Sequence, residues 1–157
     1  MSTDTNAETS STKRRRPTNQ VVFDADVTLA MPADRVWAEL TDWGGHGRWI
    51  PMTRVDVDPQ DPNRFIAWSG LGKLALEDRM HATNLQFDGS RGTCHVEKLG
   101  PVLVGFAEVT VTAQGDSTRV VWHEDVAVPY LPRFLSPVVG KASALLFGFA
   151  LRRMKHS

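Results

Sequence analysis

The sequence predicts an α+β domain, and three observations carry that prediction. A strand-period segment is followed at once by a short helix-period segment that glycines interrupt. Six further strand-period segments come next, separated by turn residues. The chain then returns to helical period for one long apolar stretch near its C-terminal end. With 157 residues there is length for one domain, or one domain with a tail, and 41% hydrophobic residues are enough for a packed core.

Residues 1–19, "MSTDTNAETSSTKRRRPTN", are Ser/Thr-rich and offer almost nothing to bury, so they are expected to be a disordered tail before a domain at 20–157. The run Lys13-Arg14-Arg15-Arg16 has the chemistry to touch anionic lipid or nucleic acid, but such runs are more often solvated. No apolar stretch follows it, which argues against a secretory signal. From Val21, the residues Val21, Phe23, Ala25, Val27 and Leu29 alternate with Val22, Asp24, Asp26 and Thr28, the pattern of a strand with one buried face.

"MPADRVWAELTD" changes the period: Val36, Trp37 and Leu40 share a helical face, and Pro32 suits a first turn. Gly44, Gly45 and Gly47 end that helix, and Trp43 to Pro51 reads as a second short helix or a tight loop. Strands are expected near 53–57, 63–69, 73–85, 92–99, 102–114 and 117–128, joined by "DPQDPN", "SGLG", "FDGSRG", "LGP" and "QGDS".

The last hairpin can be given a register. If Gly115-Asp116 is a two-residue turn, Val111 opposes Val120, Val109 opposes Trp122 and Ala107 opposes Glu124. On the other face Glu108 opposes His123 and Thr112 opposes Arg119. One face is then apolar apart from a single acid, and the other is polar with matched charges.

From Ser136, which can cap, and Pro137, suited to the first turn, the pattern is helical again. Leu135, Val138, Val139, Ala142, Leu145, Leu146 and Phe149 form one apolar arc, expected to face the core. The other side, with Gly140, Ala144, Phe147 and Leu151, is hardly polar either, as in a helix buried on more than one side. Arg152, Arg153 and Lys155 close it, where cations favour the dipole. The longest uninterrupted apolar run, Ala144 to Leu151, is too short for a membrane span.

In order and spacing, "MPADRVWAELTDWGGHGRWIP", "STRVVWHEDV" and the apolar terminal helix resemble the START-like, pollen-allergen-like (SRPBCC) superfamily. Within it they resemble the bacterial polyketide cyclase/dehydrase and lipid-transport family. The resemblance covers residues 21–155. It implies a helix-grip fold: a curved, seven-stranded antiparallel sheet wrapped around the C-terminal helix, two short helices after the first strand, and an internal cavity. A sheet gripping one helix encloses more volume than the helix fills, and Gly140, Ala144 and Gly148 fill little. Trp43 and Trp49 then serve as wedges seating the helical insertion over one end of that cavity, or as plain core. Leu71, in the glycine loop "SGLG" at the expected mouth, joins them as a candidate ligand contact.

The register puts Glu124 on the apolar face beside Val109 and Trp122, and the alternation Leu74, Leu76, Asp78, Met80, Ala82 places Asp78 and Met80 similarly. An acid in an apolar setting can act as a general acid or base, so Asp78, Glu124 and Tyr130 are the catalytic candidates. The favoured reading is that each acid, near a strand end, reaches water or a basic partner and does no chemistry; orienting a ligand is the second choice, and Trp122, Met80, Leu145 and Phe149 are expected among its apolar contacts. His46, His81, His95, His123 and His156 lack metal-ligand spacing, and no phosphate loop or nucleophile elbow occurs. No metal and no cofactor is expected.

Eighteen acids balance eighteen bases, which argues against a general nucleic-acid surface. The single cysteine, Cys94, excludes an internal disulfide and fits a reducing, cytoplasmic setting. The expected function is binding or carriage of a small hydrophobic ligand, a lipid, polyketide or isoprenoid, by a monomer or weak homodimer. The resemblance also implies two alternatives: a cyclase, aromatase or dehydratase, and a toxin component paired with a small antitoxin.

Overall fold

The computed structural model describes residues 19–154; the expected tail up to Thr18, the basic run within it, Lys155 and His156 lie outside the described residues. Strand β1 spans Gln20–Leu29, and helix α1 spans Ala33–Thr41, with a 3₁₀ segment at Trp43–Arg48. Strands β2 (Thr53–Val57), β3 (Arg64–Ser69), β4 (Leu76–Phe87), β5 (Arg91–Leu99), β6 (Val104–Gln114) and β7 (Ser117–Ala127) follow, and helix α2 spans Ser136–Arg153. The seven strands form one antiparallel sheet in the order β1-β7-β6-β5-β4-β3-β2. The sheet is curved and unclosed, with α2 against its concave side: the helix-grip α+β fold.

The predicted β6–β7 register is the observed one, with Val109 opposite Trp122 and Ala107 opposite Glu124. Its outer-face charges find other partners, however. His123 Nδ1 lies 2.8 Å from Asp24 Oδ1 on β1, while Glu108 lies 3.5 Å from His95 on β5. Both strands have a second neighbour in the sheet, and those neighbours supply the closer groups. Asn19, expected in the tail, is tied to the domain: its carbonyl accepts the Val128 N–H at 3.1 Å.

Helix α1 buries Val36 and Leu40, and its half-buried Trp37 stacks on Phe87 with ring centroids 5.4 Å apart. Pro32 stands at the N-cap, one position before the expected first turn. The glycines do not leave an irregular loop after α1; they form the 3₁₀ segment, in which Trp43, Gly45 and His46 are buried.

Helix α2 is turned about its axis from the expected orientation. Gly140, Gly148, Ala150 and Leu151 are its buried residues, while Val138, Leu145, Leu146 and Phe149 of the expected core arc are exposed. The reason is a close approach to β1: a Cβ at Gly140 would stand 3.0 Å from the Val22 carbonyl oxygen. The small residues therefore let helix and strand touch, rather than leaving space between them. Ser136 lies inside the helix with Leu135 at the N-cap, and its buried hydroxyl has no hydrogen-bond partner among the described residues. By length and composition alone, residues 133–153 could span a membrane; here that stretch packs on β1 as part of the fold.

Candidate functional site

Each strand sends alternate side chains toward α2, and the sheet's curvature sorts them into two zones. Near α1, Val109, Val111, Val120 and Val36 make a closed core. Toward the other end the facing side chains do not meet, and a cavity of about 400 Å³ opens between the sheet, the 3₁₀ segment and α2. Its apolar wall includes Phe23, Trp43, Phe65, Met80, Val96, Leu103, Trp122 and Phe147. Met52, Leu76 and Leu146 also line it while remaining exposed, so they form part of its rim.

Aromatic contacts fix the wall. Trp43 stacks on Phe65 at 4.6 Å between centroids, which anchors the 3₁₀ segment to β3. Phe147 of α2 packs on Trp122 at 5.0 Å and on Phe23 at 5.6 Å, tying the helix to β7 and β1. His46, another wall residue, bonds through Nε2 to the Leu40 carbonyl at 2.8 Å. Burial lowers its pKa to about 4, so near neutral pH the ring is uncharged, Nε2 donates that bond, and Nδ1 is left as an acceptor.

The polar end of the cavity is built from three strands. Lys98 on β5 sits 2.5 Å from Asp78 Oδ2 on β4 and 3.6 Å from Glu124 Oε1 on β7. The second Glu124 oxygen accepts the Trp122 indole N–H at 3.1 Å. Lys98 lies opposite Gly105 on β6, and Glu124 lies opposite Ala107. The intervening strand thus presents only small residues there, and the lysine stem reaches across it. Gly105 is itself dictated by crowding, since a Cβ there would stand 2.1 Å from the Asp125 carbonyl oxygen.

Burial alone would lower the Lys98 pKa; the Glu124 and Asp78 carboxylates outweigh it, hold the pKa above its ordinary value, and keep the ammonium charged. Asp78 is pushed up, chiefly by burial, which the Lys98 charge only partly offsets. Its second oxygen, Oδ1, is buried and has no hydrogen-bond partner among the described residues. The cluster therefore presents to the cavity a cation that two acids already engage.

Of the residues picked from the sequence, Trp43, Asp78, Met80, Trp122 and Glu124 meet at this cavity. Trp49 is fully buried beside His46, with ring centroids 4.7 Å apart, and does not line the cavity. Val109 belongs to the closed core. Leu71 is exposed and outside the lining, although its neighbours Ser69 and Gly70 are within it. Leu145 and Phe149 point outward because of the α2 rotation, and Tyr130 is 95% exposed, away from both acids' cavity.

Sequence reasoning missed Lys98, His46 and Phe147. For Lys98 a signal was present: it continues the alternation Cys94, Val96, Lys98 on the inward face of β5. Cys94 is buried there, and burial pushes its thiol up to about 12.

The model of the family described as polyketide cyclase / dehydrase and lipid transport matches residues 20–157, which takes in all seven strands and both helices. The chain belongs to that family. No curated protein matches the sequence. Among solved structures, a START superfamily protein from Mycobacterium smegmatis superposes with a TM-score of 0.68 at 12% identity, over 86% of this chain and 97% of that one. A protein from Thermus thermophilus gives 0.65 at 15% identity, over 86% and 94%. The di-domain aromatase/cyclase StfQ, from the steffimycin biosynthetic pathway, gives 0.64 at 12% identity over 88% of this chain and 51% of that one. At these identities the likeness is one of fold, and this family member spans about half of the di-domain enzyme.

Proposed function

We propose that this polyketide cyclase/dehydrase and lipid-transport family domain binds and carries a small hydrophobic ligand, without catalysis. The observation that carries the reading is the cavity of about 400 Å³, walled by Phe23, Phe65, Trp122 and Phe147 and closed at one end by a charged cluster. Burying an apolar ligand against such a wall gains roughly 25 cal/mol per Å², before the costs of association. The single buried thiol fits a cytoplasmic location, where the domain works as a monomer or weak homodimer. The test is native mass spectrometry of the purified protein beside titration with a neutral fluorescent probe, N-phenylnaphthylamine. A retained apolar ligand and saturable probe binding support the reading; no ligand and no probe binding sink it.

One observation favours cyclase or dehydratase chemistry as a second reading: Asp78 and Glu124 both face the cavity, in a fold shared with aromatase/cyclases. Weighing against it, Asp78 Oδ2 and Glu124 Oε1 contact Lys98, Glu124 Oε2 accepts the Trp122 indole N–H, and Asp78 Oδ1 is buried, so none of the four oxygens stands free at the cavity surface as a general base must. Turnover of a polyketide-like substrate that disappears in Asp78→Asn or Glu124→Gln, with binding intact, would replace the carrier reading.

A further inference from the structure

The polar end of the cavity has a charge sum that restricts the ligand. One ammonium, Lys98, faces two carboxylates, Asp78 and Glu124, and among the described residues the only other titratable side chain in the lining is the uncharged His46. The remaining polar side chains of the wall are the hydroxyls of Thr53, Ser69 and Ser143.

A ligand carboxylate would find its only cation already held by two acids. It would bring a further negative charge into a water-poor space, where like charges repel strongly. A hydroxyl meets no such cost. We propose that the cavity selects uncharged apolar ligands, alcohols among them, and rejects fatty-acid-type carboxylates, because Asp78 and Glu124 outnumber the one ammonium and Glu124 supplies the excess negative charge. The selection is by repulsion. It rests on the ligand-binding reading above and adds the ligand's chemical class to it.

The test compares two ligands of equal chain length, decanol and decanoate, as displacers of N-phenylnaphthylamine near neutral pH. Decanol is expected to bind at least about tenfold more tightly than decanoate. The isosteric Glu124→Gln variant removes one negative charge, and its ratio of the two affinities should fall toward unity. Equal or tighter binding of decanoate to the wild type would overturn the proposal, as would a ratio that Glu124→Gln leaves unchanged in protein shown to be folded by circular dichroism. If the probe binds but decanoate wins, the cavity reading stands and the charge argument fails. If the probe does not bind at all, both fall together.

Discussion

The Lys98 ammonium stands 3.6 Å from Glu124 Oε1, although a whole strand, β6, separates the strands that carry them. Together with the 2.5 Å contact to Asp78, this makes one side chain the counter-ion for two acids from β4 and β7. Removing it should be costly. Lys98→Met leaves both carboxylates buried without a cation, and a loss of about 3–5 kcal/mol is expected in urea unfolding near neutral pH. Adding Asp78→Asn and Glu124→Gln to that variant should restore most of the loss. A single variant as stable as the wild type would show that the cluster is not a coupled unit.

His46 gives the domain a pH dependence of definite sign. Its folded pKa of about 4 lies below the ordinary 6.5, so the unfolded chain takes up the proton first as pH falls. Its contribution is fully present above pH 6.5 and is lost on acidification toward pH 4, about 3 kcal/mol in all. Asp78, raised by burial, acts in the opposite sense: its contribution is present below its ordinary 3.8 and lost as pH rises through the folded value. The difference between wild type and His46→Gln therefore isolates the histidine. The stability of the wild type relative to His46→Gln should be constant above pH 6.5 and fall by about 3 kcal/mol toward pH 4; parallel curves across that range would reject the assignment.

Two aromatic truncations should separate the core from the surface. Trp49 is fully buried, and Trp49→Ala should cost about 3–5 kcal/mol. Phe149 is 52% exposed, and Phe149→Ala should cost no more than about 1 kcal/mol. Thermal unfolding of the two variants checks the rotation of α2, because the orientation expected from the sequence would make both costly.

Cys94 should be inert in the native protein. Its thiol is buried and held at about 12, so little thiolate exists near neutral pH. Alkylation by iodoacetamide should be negligible in buffer and complete in denaturant. Rapid native labelling would place that strand face in contact with solvent.

Much of the fold was legible because strands announce themselves by alternation. Val109, Val111, Val120 and Trp122 fixed the β6–β7 register, and the order of periods gave the architecture. The orientation of α2 was not legible. Its sequence is apolar on nearly every side, so no polar face marks the outside, and the decisive feature is backbone contact at Gly140, which periodicity does not report. Asp78 and Glu124 were found because each interrupts an apolar face. Lys98 follows the same rule on β5 and was recoverable, whereas the reach of Phe147 to Trp122 depends on how the helix is rotated. Trp49 illustrates a different limit: proximity to the cavity wall in sequence does not tell a lining ring from one packed behind it.

The outward ridge of Val138, Leu145, Leu146 and Phe149 has a colloidal consequence. With 18 acidic and 18 basic residues and a pI near 7.0, molecules in neutral buffer carry no net charge to hold them apart. An apolar stripe exposed among the described residues, on a particle of zero formal charge, puts the solubility minimum close to physiological pH. Sulfate, which strengthens apolar association, should deepen that minimum, and moving the buffer well to either side of neutrality should relieve it.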